Sequence, residues 1–146
     1  MYRVNKMKLS ENNREMIYEE IQFVIGKMRE SENMDESLYY LSAIHSVINR
    51  VFNLEFNQHL VFMHFILVNC YGIINKAVEL SRQRKKPITI DMVFFKKLID
   101  LLEILADTIK EDKSTFETLE KISVFVYSIT GNGYYLQKKG VNVINF

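Results

Sequence analysis

The chain has 146 residues, of which 48% are hydrophobic and 25% are charged, and 19 basic side chains nearly balance 18 acidic ones. A chain of this length and composition is typical of one soluble domain that folds without disulfides or structural metals. Only five glycines and one proline are present, which excludes fibrous, linker-rich and disordered classes. We therefore predict a single helical domain over residues 1–146, with a basic N-terminal arm at 1–9 and a C-terminal tail at 130–146.

Two amphipathic helices are predicted at the start of the chain. Ser10 is a suitable N-cap for a first helix over residues 11–31. Residues 31–35 form a polar break, and a second helix follows over residues 36–52. Apolar side chains recur in both helices at intervals of three and four residues, which is the helical period. They are Ile17, Ile21, Val24 and Met28 in the first helix and Leu41, Ile44, Ile48 and Val51 in the second.

A third helix is predicted over residues 57–82, and much of it is uncharged. Residues 56–75 contain no Asp, Glu, Lys or Arg, so this segment has to be considered as a membrane span. Asparagine, histidine and glutamine side chains interrupt it, however, and no strictly apolar run approaches the roughly 18 residues that a span needs. We interpret the segment as a core helix of a soluble bundle, and expect no contact with a membrane.

The fourth helix shows the clearest amphipathic pattern. Pro87 prevents simple continuation of the third helix, and either Thr89 or Asp91 is suitable as the N-cap of a helix over residues 91–111. Charged residues recur along one side of this helix at intervals of three and four, and leucines and Phe94 occupy the other side. This pattern predicts a helix that buries one face and exposes the other.

The C-terminal region is open to two interpretations. Ser114 and Glu117 fit a capping box that starts a fifth helix over residues 115–129. Residues 123–129 are also rich in β-formers, and an Asn-Gly turn follows, so a hairpin with residues 134–136 is the alternative. The last residues alternate between apolar and polar types. The fold predicted overall is all-α, an up-and-down bundle of four to five helices with an extended or hairpin C-terminal tail.

The sequence contains no recognisable catalytic or cofactor-binding motif. Neither the zincin motif H-E-x-x-H nor a P-loop, a dinucleotide fingerprint or a nucleophile elbow occurs. His59 and His64 diverge by about 140° on a helix, so they do not suit a common metal ion. Cys70 lies in an apolar run and is expected to be a buried, inert thiol. We predict no catalytic residue, no cofactor and no metal, and an enzyme with an unfamiliar site is only our third hypothesis.

A narrow line of polar side chains is predicted along the third helix, within about 40° of arc. The line has three interpretations: the solvated edge of the helix, an internal polar network, or a hydrogen-bonding strip at an interface. Two tyrosine pairs, Tyr39–Tyr40 and Tyr134–Tyr135, add to the third interpretation, because tyrosine is enriched in interface cores. The candidate interface residues are Asn57, His64, Tyr71, Asn75, Tyr134 and Tyr135.

The near-zero net charge conceals blocks of opposite sign. Residues 9–37 hold eight acidic and three basic side chains, whereas residues 81–97 hold six basic and one acidic. The basic block is either a solvated loop that complements the C-terminus of the third helix or a contact for phosphates or an acidic protein surface. Its candidate contact residues are Arg82, Arg84, Lys85, Lys86, Lys96 and Lys97.

Together these patterns favour a non-enzymatic helical interaction protein, a subunit or accessory factor that acts through protein–protein contacts. The expected partners are another protein, further copies of the same chain, or both. The alternative is a nucleic-acid-associated helical protein that contacts phosphates through residues 82–97. A single cysteine and the lack of a secretory signal lead us to expect a cytoplasmic location.

Overall fold

The computed structural model describes residues 6–84 and 90–129, which form five helices packed against each other and contain no strand. The predicted all-α bundle is confirmed, and every helix begins and ends within two residues of its predicted bounds. The hairpin alternative is wrong for residues 123–127, which continue the last helix, and residues 130–146 lie outside the described part of the chain. The helices are α1 (Glu11–Glu30), α2 (Met34–Phe52), α3 (Gln58–Arg84), α4 (Met92–Lys110) and α5 (Phe116–Tyr127).

The helices pack as a ring around one apolar core. α1 lies against α2 and α4, α2 lies against α3, and α5 closes the ring between α3 and α4. Each helix contributes fully buried side chains, because its apolar residues recur at the helical period. Among these are Ile17, Ile44, Met63, Leu102 and Ile122. α3 therefore has two principal neighbours among the described helices, and one of its sides faces away from the ring.

The helix starts follow the predicted capping chemistry only in part. Asn33 and Asp91 each accept a hydrogen bond from the backbone N–H three residues later, at 3.0 Å, so Asp91 is confirmed as a cap. The capping box predicted around Ser114 does not form. The N-cap of α5 is Thr115, whose side chain makes no cap hydrogen bond because its hydroxyl lies 3.1 Å from the ring nitrogen of His59.

The segment before α1 is attached to the loop between α2 and α3. Met7 is buried, although it belongs to the segment predicted as an arm, and its carbonyl accepts a hydrogen bond from the Asn57 side chain at 2.8 Å. The Glu55 carboxylate accepts hydrogen bonds from the Ser10 backbone at 3.2 Å and from the Asn13 side chain at 2.7 Å. These contacts fix the start of α1 against the start of α3.

Candidate interaction site on helix α3

α3 has a buried side and an apolar outward side. The outward side chains Val61, Phe62, Phe65 and Val68 are each at least 40% exposed. They share one face, because residues three and four apart are neighbours on a helix. We call these four residues the outer face of α3. The opposite side of the helix, which packs into the core, carries Leu60, Met63, Leu67, Cys70 and Ile74.

Two further phenylalanines extend the outer face at the N-terminal end of α3. Phe56 precedes the helix and is 80% exposed, and Phe116 at the start of α5 meets the ring of Phe62 edge-on at 5.5 Å. Together they border an open groove of about 700 Å³. The groove is lined by Phe56, Gln58, Val61, Phe62, Phe65 and Phe116. Most of this surface is aromatic and therefore suited to apolar contact.

His59 supports one wall of this groove from within the core. Its ring is buried and stacks on Phe116 with 4.5 Å between ring centroids, and Nδ1 lies 3.1 Å from the Thr115 hydroxyl. Burial lowers the pKa of His59, although the Asp112 carboxylate acts in the opposite direction. Since Nε2 has no hydrogen-bond partner among the described residues, a second proton there would be costly. The neutral ring thus serves to position Phe116.

The side chains of the polar line predicted along the third helix lie in different environments. Asn57 is buried in the loop before α3, and Asn75 is exposed. His64 and Tyr71 are half-buried and lie against His45 of α2, with ring centroids 6.2 and 5.8 Å from its ring. The structure therefore brings His64 and Tyr71 together at the seam between α2 and α3, whereas Asn57 takes part in anchoring the N-terminal segment.

The histidine pair at this seam offers little chemistry. Burial, and to a smaller extent the nearby His64, lowers the pKa of His45. The Nδ1 atom of His64 is buried and has no hydrogen-bond partner in the part of the chain that the structure describes. Within residues 6–84 and 90–129, no group of three or more His, Cys, Asp or Glu side chains is arranged to hold a metal ion. Cys70 is buried as predicted, and burial raises the pKa of its thiol to about 12.

The predicted basic contact region is described only in part. Lys96 and Lys97 are exposed near the start of α4, and neither forms an ion pair with another described residue. The predicted site residues that lie outside the described side chains are Arg82, Arg84, Lys85, Lys86, Tyr134 and Tyr135.

The outer face was not among the sites predicted from the sequence. Periodicity could not find it, because α3 is apolar on both its buried and its outward sides. The signal available was the charge-free run itself, since a helix that is apolar all round is either buried or faces an apolar partner. Of the thirteen large apolar side chains exposed in the described residues, six belong to the outer face or its groove. This concentration distinguishes the outer face from scattered exposure elsewhere.

α3 is also long and apolar enough to cross a membrane. By length and composition alone, the segment Gln58–Leu80 passes this test, and it is the one helix among the described residues that does. The core helix of a soluble protein passes the same test, and 33% of the most apolar window is buried inside the bundle. A protein surface and a lipid bilayer are therefore the two kinds of apolar partner to compare.

Known proteins do not help to choose between these partners. Comparisons with protein families, with curated proteins and with solved structures each gave no match.

Proposed function

We propose that this chain is a non-enzymatic helical interaction protein, a subunit or accessory factor whose outer face of α3 binds another protein surface. The observation that supports the proposal is the size of the apolar surface. Phe56, Phe62, Phe65 and Phe116 are 80%, 43%, 63% and 38% exposed. At about 200 Å² for a fully exposed aromatic side chain, they present roughly 450 Å². Patches of this size on a single chain are often functional.

The polar residues on the same side of α3 favour a protein over a bilayer. At 100° per residue, Gln58, Asn69 and Lys76 lie within about 40° of Phe65 around the helix. Amide and ammonium groups in the hydrocarbon region cost several kcal/mol unless they are paired. A protein surface can supply hydrogen-bond partners to Gln58, to Lys76 and to the amide oxygen of Asn69, whose N–H group already bonds the Phe65 carbonyl. Lipid chains cannot.

The proposal is tested by comparing two glutamate variants. Phe65→Glu places a charge in the centre of the outer face, and Phe23→Glu changes a phenylalanine of α1 that is exposed to the same degree, 66% against 63%. Tagged chains are purified from cells, and the proteins that accompany them are identified by mass spectrometry. We expect partners, including untagged copies of the chain, that are retained by Phe23→Glu and lost from Phe65→Glu. Identical recoveries from the two variants would contradict the proposal.

A second candidate function is contact with nucleic acid through the basic region of residues 82–97. The exposure of Lys96 and Lys97 without ion-pair partners favours it. Two such side chains at the start of α4, next to a connection rich in cations, suit the phosphate backbone. Lys96 and Lys97 lie on α4 and not on the outer face, so they can be tested separately from Phe65.

A further inference from the structure

We propose that the partner of the outer face is a second copy of this chain, paired antiparallel about a two-fold axis, with each Phe65 ring over Gly72 of the other copy. This inference rests on the proposed function, and it specifies the partner.

The spacing of Phe65 and Gly72 is self-complementary. Seven residues separate them, so they lie two turns and about 10.5 Å apart on nearly the same line along α3. In an antiparallel two-fold pair, the residue numbers at facing positions have a constant sum. If Phe65 faces Gly72, then Gly72 also faces Phe65, and the axis passes between Val68 and Asn69. The two-fold rotation thus places the Phe65 ring of each copy in the space at Gly72 of the other copy, so the same contact forms twice, as an isologous interface requires.

Within the described part of the chain, no close contact explains the absence of a side chain at Gly72. Gly72 is exposed, and a Cβ atom built on it would meet nothing within 4 Å. A glycine within a helix costs about 1 kcal/mol relative to alanine. The absence of a side chain at this position is useful to a neighbour that approaches the helix closely. The side chain of Asn69, one turn earlier, turns back to bond the Phe65 carbonyl at 2.9 Å, so it also leaves room for such a neighbour.

Charge and area are compatible with a second copy. Residues 56–75 contain no charged side chain, so two outer faces meet without repulsion between like charges. The Lys76 side chain faces Val61 of the other copy, where its methylene stem can pack while its ammonium group stays in water. The four phenylalanines expose roughly 450 Å², and the exposed valines add to this area. The apolar total stays below the roughly 800 Å² per partner of a standard interface, and its size corresponds to the smaller and weaker class of interfaces.

The solution mass of the full chain tests the pairing. We expect sedimentation equilibrium to give the mass of two chains for the wild type and for Phe23→Glu. For Phe65→Glu we expect a dimer dissociation constant at least about 30-fold higher, which corresponds to the loss of an interface hot spot. Circular dichroism establishes that both variants keep their helices. A wild type that remains one chain at about 1 mM, or a Phe65→Glu variant that dimerises as tightly as the wild type, overturns the proposal.

The position of the axis is tested with new cysteines under oxidised glutathione. Asn69→Cys places two thiols next to the axis, so we expect a disulfide between the two copies. Gln58→Cys lies far from the axis and should give no link. The wild type is the control for links formed by Cys70. We expect it to give almost no disulfide-linked dimer, because Cys70 is buried and burial raises the pKa of its thiol to about 12. A link from Gln58→Cys without one from Asn69→Cys would overturn the proposed pairing.

The failures of this inference and of the proposed function are distinguishable. A chain that stays single but recovers a different protein through Phe65 overturns the second copy and leaves the interaction function intact. Binding to neutral phosphatidylcholine vesicles that is lost in Phe65→Glu and retained in Phe23→Glu overturns both, because the partner of the outer face would then be a lipid surface.

Discussion

His59 links the buried core to the exposed groove on α3. Its neutral ring stacks on Phe116 and meets the Thr115 hydroxyl, and burial keeps the pKa of the ring below its usual value of 6.5. As the pH falls below about 6.5, the unfolded chain takes up this proton before the folded chain does. The contribution of His59 to stability is therefore intact above this pH and is lost as the pH falls through the folded pKa.

The pH dependence of unfolding tests this role of His59. We expect the free energy of unfolding in urea to decrease between pH 7.5 and 5.5, and to decrease less in His59→Gln, whose side chain does not titrate. Part of this decrease in the free energy of unfolding will remain in His59→Gln, because burial also lowers the pKa of His45. An equal decrease in the free energy of unfolding in the wild type and in His59→Gln would show that the His59 ring titrates as freely in the folded chain as in the unfolded one.

Glu55 joins two distant parts of the sequence through its carboxylate. Hydrogen bonds from Ser10 and Asn13 lower its pKa, so the ionised form is favoured in the folded chain. We expect Glu55→Gln to lower the free energy of unfolding at pH 7 by about 1 kcal/mol, since bonds to a charged acceptor are stronger than neutral ones. The contribution is present above the unfolded carboxyl pKa and is lost as the pH falls through the folded value.

The matched control for Glu55 is Glu120→Gln, which changes an exposed carboxylate on α5 that has no hydrogen bond within the described residues. It should change the free energy of unfolding by less than about 0.5 kcal/mol. Urea unfolding at pH 7 and pH 3 separates the two variants. Similar losses in both at pH 7 would mean that the anchor at the start of α1 has no energetic importance.

At the scale of the helices, the sequence predicts positions better than orientations. Apolar spacing gave the helix bounds, because a residue that faces the core must recur every three or four positions. The same spacing could not orient α3, which is apolar on two sides. The contact between Thr115 and His59, which replaces the predicted capping box around Ser114, joins residues 56 positions apart. Local patterns contain no information about a contact of that kind.

Gly72 connects the stability of α3 to its proposed pairing. In the Phe65→Glu background, which is expected to be a single chain, Gly72→Ala should raise the free energy of unfolding by about 1 kcal/mol, because the added methyl group meets nothing within 4 Å. In the otherwise wild-type chain it should weaken the dimer, because the methyl group fills the space for Phe65 of the second copy. Urea unfolding and sedimentation equilibrium measure the two effects.

Gly26→Ala is the control for these two effects of Gly72→Ala, a higher free energy of unfolding and a weaker dimer. Gly26 is an exposed helical glycine of α1 that also has open space at its Cβ position, but it lies away from the outer face. The substitution should raise stability by a similar amount and leave the dimer dissociation constant unchanged. If both alanine variants leave the dimer unchanged, the helices do not approach each other at Gly72.

On the scale of the whole molecule, the closed ring of helices separates the outer face from the described cations of the basic region. α3 contributes the apolar outer face, and α4, which lies beyond α5 in the ring, carries the exposed Lys96 and Lys97. An arrangement of this kind allows one chain to pair with a copy of itself while Lys96 and Lys97 stay exposed. The balanced net charge therefore does not exclude a polyanionic partner, but restricts where such a partner could bind.

A titration with a duplex DNA oligonucleotide at two salt concentrations tests the basic region of residues 82–97. If several of its cations contact phosphates, affinity should fall steeply between 50 and 200 mM salt. A plot of the logarithm of the binding constant against the logarithm of the salt concentration should then have a slope of about −0.9 for each phosphate contacted. The double variant Lys96→Gln/Lys97→Gln should reduce the magnitude of that slope by about two, whereas Lys113→Gln/Lys121→Gln, on another part of the surface, should leave it unchanged. Absence of binding at 50 mM salt, or equal slopes for both double variants, would remove nucleic acid as a partner of this region.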